Sequence, residues 1–188
     1  RAAYQRVYES RDGGETWRTP WDGLDLSTEI IALDWGPDAP SVLFAAGTEA
    51  LYRSVDGGQS WQPLAAELVG QTVFQVAVDP RDPRRLSAAA TKGAYLSRDS
   101  GATWAPWGRG LEDVTMSALA FHPARPQEVF AGSRYRGVYR SQDGGETWRP
   151  AGLEGVSVYR LVVATEGRWL IAVTDRGLWR APLARGEP

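Results

Sequence analysis

The sequence predicts an all-β chain of repeated four-stranded antiparallel sheets, and three observations carry that prediction. An eight-residue box of the form S-x-D-x-G-x-T/S-W begins at Ser10, Ser54, Ser97 and Ser141, at intervals of 44, 43 and 44 residues. Ahead of the boxes, at the same period, run two apolar, strand-length segments and a short aromatic-centred one, separated by Gly, Pro and Asp clusters. No segment sustains the 3.6-residue apolar period of a helix. A four-strand unit of this length is the size of one blade of a β-propeller, whose sheets bury both faces against their neighbours.

The elements of each unit follow in order. First strands are IIALDW from Ile30, VFQVAVD from Val73, MSALAFH from Met116 and VYRLVVA from Val158, nearly unbroken apolar runs suited to a sheet covered on both sides. Second strands are SVLFAAG from Ser41, RLSAAAT from Arg85, EVFAGS from Glu128 and WLIAVT from Trp169. Third strands are Val7-Tyr8-Glu9, Leu51-Tyr52-Arg53, Ala94-Tyr95-Leu96, Val138-Tyr139-Arg140 and Leu178-Trp179-Arg180, the last with no box after it. Fourth strands open with the Thr-Trp or Ser-Trp of the box. Proline-bearing loops join first to second strands, and His122 stands before Pro123 where Asp79 stands before Pro80, which predicts a turn-capping histidine.

These elements divide the chain into units of approximately 1–27 (partial), 28–71, 72–114, 115–155 and 156–188 (partial), about four blade equivalents in all. The whole is a single propeller domain or an excerpt of a larger one, and a start at Arg1 instead of Met points to a processed or excerpted polypeptide. The strands do not divide evenly by four. A ring of four closes if the last three strands take Thr16-Trp17-Arg18 as their fourth. Otherwise the surplus belongs to a larger ring or pairs with another molecule, since a bare sheet edge invites pairing.

Composition narrows the function classes. A chain of 188 residues with 43% hydrophobic and 23% charged residues belongs to the soluble globular class. A net charge of −2 leaves no basic footprint for nucleic acid. Cysteine is absent and His122 is the one histidine, so a disulfide or thiolate site is excluded and any histidine metal site or triad must use that residue. No apolar run approaches the ~18 residues of a membrane span, and no leader pattern opens the chain. Neither a phosphate-binding glycine loop nor a metal-spaced cluster occurs, so no cofactor or metal is expected.

Within the boxes, Ser10, Asp12, Gly14 and Trp17, then Ser54, Asp56, Gly58 and Trp61, are assigned structural roles. So are Ser97, Asp99, Gly101 and Trp104, and Ser141, Asp143, Gly145 and Trp148. Ser and Asp side chains bond to backbone inside a turn, Gly supplies positive φ, and Trp offers a large apolar body with one donor. A calcium-loop alternative lacks the further oxygen ligands and bidentate Glu such a loop needs.

The four boxes resemble the Asp-box, or BNR repeat, and their surroundings from Val7 to Leu183 look like the BNR-like propellers of bacterial extracytoplasmic proteins. That family includes sialidases, xyloglucan-cleaving glycosidases, sortilin-type receptors and a photosystem II assembly factor. The resemblance implies a propeller outside the cytoplasm, with boxes on outer hairpins away from any cleft. Fold alone does not select among such functions.

Loops on the face opposite the boxes differ from unit to unit and therefore carry the candidates for recognition. That face is expected to hold Trp21, Asp22, Asp25, Glu49, Glu67, Lys92, Trp107, Arg109, Glu112, Asp113, Arg134, Tyr135, Arg136, Glu154, Asp175 and Arg176. Ligand-binding candidates among them are Trp21 and Trp107, for stacking, and Arg109, Arg134, Tyr135, Arg136, Asp175 and Arg176, for polar contact. Covering a blade edge is the structural alternative for both tryptophans. A glycosidase needs two carboxyl groups flanking the bond; acids abound there, but they match no catalytic motif, and no catalytic residue is assigned. The expectation is a non-catalytic interaction module binding a protein or glycan. Its alternatives are a fragment of a carbohydrate-active glycoside hydrolase, and a subunit that self-associates head to tail by strand exchange.

Overall fold

Every apolar run named above forms a strand in the computed structural model, which describes residues 7–19, 22–25, 28–36, 39–64, 66–79, 81–164 and 167–183. The first sheet holds β1 (Ile30–Gly36), β2 (Ala39–Gly47), β3 (Leu51–Ser54) and β4 (Gln62–Leu64). The second holds β5 (Val73–Asp79), β6 (Asp82–Ala90), β7 (Gly93–Ser97) and β8 (Ala105–Pro106). In the third lie β9 (Met116–Phe121), β10 (Val129–Ser133), β11 (Val138–Ser141) and β12 (Arg149–Pro150). The fourth has three strands, β13 (Val158–Ala164), β14 (Trp169–Thr174) and β15 (Gly177–Pro182). Each is an antiparallel meander, and one 3-10 turn, Ala66–Leu68, links the first two.

The sheets stand face to face with their first strands innermost, β1 beside β5, β5 beside β9 and β9 beside β13. Apolar cores fill the seams. Phe44, Leu51, Val76 and Leu86 lie between the first two sheets, Leu96, Leu119, Val129 and Tyr139 between the second and third, and Phe130, Val158, Leu161 and Leu170 between the third and fourth. Burying each such side chain contributes about 1.5–3 kcal/mol. Polar ties cross the same seams: Thr72 Oγ1 donates to Thr48 O at 3.2 Å, and Thr115 Oγ1 donates to Thr91 O at 2.9 Å, one sheet further on.

The two ends of the stack lack this cover. Leu33 and Trp35 on β1 are 48% and 60% exposed, and Leu178 on β15 is 73% exposed. Near the amino terminus, Glu9 and Arg18 exchange both backbone hydrogen bonds, at 2.8 and 2.9 Å, and Val7 packs with Ala45, Tyr52 and Trp61 of the first sheet. Of the arrangements left open for the surplus strands, closure through Thr16-Trp17-Arg18 is not seen among the described residues, where Arg18 pairs with Glu9 and the fourth sheet has three strands.

First-to-second turns are held from the strand end. Asp79 Oδ1 accepts from Arg81 N at 3.0 Å, and pairing continues past a register shift to Asp79 opposite Asp82. In the third sheet, His122 Nδ1 accepts from Ala124 N and Arg125 N at 3.1 and 3.0 Å. Its Nε2 lies 3.0 Å from the carbonyl of Gly167 in the next sheet and 3.0 Å from Arg125 Nε.

Candidate functional site

The four boxes share one internal hydrogen-bond scheme. Asp56 Oδ1 accepts from Ser54 Oγ at 2.7 Å and from Ser60 N at 3.0 Å, while Oδ2 accepts from Ser60 Oγ at 2.6 Å and Gly58 N donates to Ser54 Oγ at 2.8 Å. The same contacts recur around Asp12, Asp99 and Asp143. Donation from the Thr or Ser hydroxyl is the largest cause holding all four carboxyls below the ordinary aspartate range, Asp99 at about 2. Box glycines carry positive φ, +87° at Gly58 and +93° at Gly145. Such carboxylates are committed to their own turns and have no cluster of further metal-binding groups near them among the described residues.

Trp104 and Trp148 are buried against the preceding sheet and Trp61 against Val7 of the amino-terminal hairpin, whereas Trp17 is 63% exposed. In three boxes the indole N–H returns to a carbonyl of the same box, from Trp17 to Gly14, Trp61 to Gly58 and Trp104 to Gly101. The fourth differs. Trp148 Nε1 donates to Trp107 O at 3.0 Å, and Trp107 Nε1 donates to Gly144 O at 3.1 Å, so the two residues lock the end of the second sheet to the fourth box, on the third sheet.

The expected place of Trp107 and Arg109 is corrected by this contact. Both lie in the seam between sheets: the Trp107 ring is 4% exposed and packs edge-on to Trp148. Arg109 exchanges backbone hydrogen bonds with Glu146 and Trp148, although its side chain is exposed. The cause is Gly108, whose φ of +74° turns the chain so close to the next box that a Cβ would sit 2.0 Å from Gly145 O. Asp22 makes the corresponding contact two sheets earlier, its backbone carbonyl accepting from Trp61 N at 2.8 Å. Trp21 lies outside the described residues.

The remaining candidates do share a face. Arg134, Tyr135 and Arg136 form the β10–β11 turn, and Asp175 and Arg176 form the β14–β15 turn. Asp175 Oδ1 accepts from Ser157 N at 3.1 Å and Arg176 Nη2 donates to Gly155 O at 3.3 Å, contacts that tie this turn to the loop ahead of β13. Tyr135 is 72% exposed and Arg136 is exposed beside it. Glu112 accepts from Gly110 N at 2.8 Å, and Lys92 and Asp113 border the same shallow pocket.

Arg134 points elsewhere. Its guanidinium lies 4.4 Å from the Phe74 ring centroid and 6.0 Å from that of Tyr159, at a cavity of about 290 Å³ enclosed by the four first strands. A local irregularity builds that cavity. The register of β1, β5, β9 and β13 against their partners slips by one residue near the start of each strand, leaving Ile31, Phe74, Ser117 and Tyr159 unpaired. A bulge re-aims the side chain it frees, and all four residues line the cavity. Ser117, the small member, leaves room for Arg134 from its own sheet.

Asp34 and Arg160 complete the charged part of the wall. Burial pushes the Asp34 carboxyl above the ordinary aspartate range, opposed by hydrogen bonds from the backbone of Trp35 and Val78 and by the charge of Arg160. Gln75 is occupied across the seam, donating to Leu119 O at 3.3 Å and accepting from Leu119 N at 2.9 Å. Asp34, Phe74, Tyr159 and Arg160 were absent from the residues singled out by sequence because they sit inside runs read as core. A signal did exist: aligned on the repeat, the bulge position reads Ile, Phe, Ser and Tyr, and the position after it reads Ala, Gln, Ala and Arg, polar in two units of an otherwise apolar run.

Residues 8–19, 52–63 and 139–150 match the BNR/Asp-box repeat family. No curated protein matches the chain by sequence. Among solved structures, the GH74 enzyme of Niastella koreensis superposes with a TM-score of 0.76 at 16% identity, over 95% of this chain and 33% of that one. YCF48 from Cyanidioschyzon merolae gives 0.68 at 16% identity, over 92% and 59%. The extracellular domain of a hybrid two component system from B. thetaiotaomicron gives 0.73 at 10% identity, over 95% and 25%. The chain thus spans less than two thirds of each of these structures, and at such identities the likeness is one of fold. No helix is long and apolar enough to cross a membrane among the described residues. The repeat is matched three times and its box geometry recurs on stacked antiparallel sheets, so the chain carries BNR/Asp-box repeats on blades similar to those of β-propellers.

Proposed function

We propose that these blades form part of a non-catalytic interaction propeller, placed outside the cytoplasm, which takes a protein or glycan partner on the face opposite the boxes. One observation carries the reading: box polar groups are consumed by their own turns, while on the other face Tyr135 and Arg136 stand exposed beside the axial cavity that Arg134 enters. Fixed scaffold with open, variable loops is the arrangement that recognition sites favour. The likeness to an extracellular domain supports the location.

Probing a glycan microarray with the labelled chain tests the reading, with Tyr135→Ala/Arg136→Ala as the paired variant. Loss of the bound signal in that variant, at an unchanged melting temperature, is expected. Equal binding by both would sink the proposal.

A glycoside hydrolase fragment is the second reading, favoured by the desolvated carboxyl of Asp34 in the cavity and by the likeness to a GH74 enzyme. Against it, Asp34 is the single acid among the described residues lining that cavity, and glycoside hydrolysis uses a pair. Turnover of fluorogenic β-glucosides or sialosides that disappears in Asp34→Asn would establish an enzyme. Head-to-tail self-association is a separate proposal, supported by the fourth sheet having three strands among the described residues; a monomer across a concentration series in light scattering would refute it.

A further inference from the structure

Charge and shape in the axial cavity single out one ligand chemistry. Arg134 Nε is buried with no hydrogen-bond partner among the described residues. Leaving such a donor without an acceptor costs about 1–3 kcal/mol. The Nε atoms of Arg85 and Arg140 are equally bare, but those guanidiniums reach Asp79, Gly144 and Glu128 through their Nη atoms. Arg134 instead meets the faces of Phe74 and Tyr159, and it has no ion pair among the described residues.

Arg160 brings a second guanidinium to the wall, and Asp34, which feels its charge, is the one acid lining the cavity among the described residues. The wall therefore holds two cations against one acid that burial already disfavours as an anion, and an added carboxylate would balance it. A volume of about 290 Å³ lies at the small end of ligand sites and suits a single ring better than a chain. Trp35, 60% exposed, and Tyr159, 50% exposed, present flat apolar faces on the same wall. Such faces suit the C–H face of a pyranose.

We propose that the cavity binds one acidic sugar of the uronate class, with its carboxylate on Arg134 and Arg160 and its ring against Tyr159 and Trp35. The inference rests on the reading that recognition occurs opposite the boxes, and it names the chemistry recognised there. Neutral sugars would leave Arg134 Nε without a charged acceptor, so discrimination comes from the charge.

Ligand-observed NMR titration of the 188-residue chain with D-glucuronate, D-glucose and N-acetylglutamate at low ionic strength tests this. D-glucuronate should saturate, with D-glucose and N-acetylglutamate each about ten-fold weaker or more. Arg134→Met and Arg160→Met should each weaken D-glucuronate by a similar factor, and Arg149→Met, on the outer strand β12, should not. Should Arg134→Met fail to fold, Arg160→Met carries the same test. Equal binding of D-glucose would overturn the role of the carboxylate, and equal binding of N-acetylglutamate would overturn the sugar in favour of an acidic peptide. No binding of D-glucuronate overturns the inference outright. If microarray binding still depends on Tyr135 and Arg136, the recognition face survives without it. If D-glucuronate binds while that double variant changes nothing, the cavity survives and the wider face falls.

Discussion

Gln75 and Leu119 are joined by two hydrogen bonds across the seam between the second and third sheets, the Gln75 amide donating to the Leu119 carbonyl and accepting from its N–H. A side chain here replaces the backbone partner that the inner edge of β9 would otherwise lack. Gln75→Leu removes both contacts and leaves two backbone groups of β9 unpaired. The expected cost is about 1–3 kcal/mol in urea unfolding, and a variant as stable as the parent would show that water takes over the role.

Trp107 is the most buried of the described ligand-binding candidates, with its N–H on Gly144 and its carbonyl on the Trp148 indole. Truncation to Ala should cost about 3–5 kcal/mol, the range for buried aromatic residues. Gly145→Ala should destabilise the same seam, because a Cβ there lies 2.0 Å from Trp107 Nε1 and φ is +93°. Both are read from unfolding midpoints. A Trp107→Ala midpoint near that of the parent would place the residue outside the seam.

Box carboxylates make stability depend on acid. Their folded-state pKa values lie below the ordinary aspartate value of about 3.9, chiefly through the Thr or Ser hydroxyl, Asp99 at about 2. A lowered folded value means that the contribution is fully present above the unfolded pKa and is lost as pH falls through the folded one. Asp99→Asn should therefore melt below the parent at pH 6. The gap should narrow from about pH 4 down to about pH 2. A gap independent of pH would show that the charge of Asp99 is not what holds the turn.

Repeat-equivalent positions should respond unequally. Leu51 and Leu178 both open a third strand, yet Leu51 is fully buried and Leu178 is 73% exposed. Leu51→Ala should cost about 2–5 kcal/mol, while Leu178→Ala should fall within about 0.5 kcal/mol of the parent. Similar losses for both would mean that the face of the fourth sheet is covered in solution.

Legibility in the sequence followed the physics of the repeat. Strands starting at Ile30, Val73, Met116 and Val158 were readable because a sheet packed on both faces tolerates few polar residues. The capping place shared by Asp79 and His122 was readable because each precedes proline at the end of a first strand. Trp107 was visible as an aromatic outside the box, but nothing local revealed that Gly108 turns the chain into the next box. Asp34 and Arg160 were hidden for another reason, since a one-residue register slip is set by pairing between strands and not by either strand alone.

From its residues alone, the chain determines its repeat, its four-strand unit and its box turns, because those depend on contacts a few residues apart and on apolar periodicity. Tertiary structure decides which tryptophans are buried, where the stack is left uncovered and which side chains meet on the axis. Those outcomes rest on distances between sheets some forty residues apart, where a bulge in each first strand turns Ile31, Phe74, Ser117 and Tyr159 toward a common cavity.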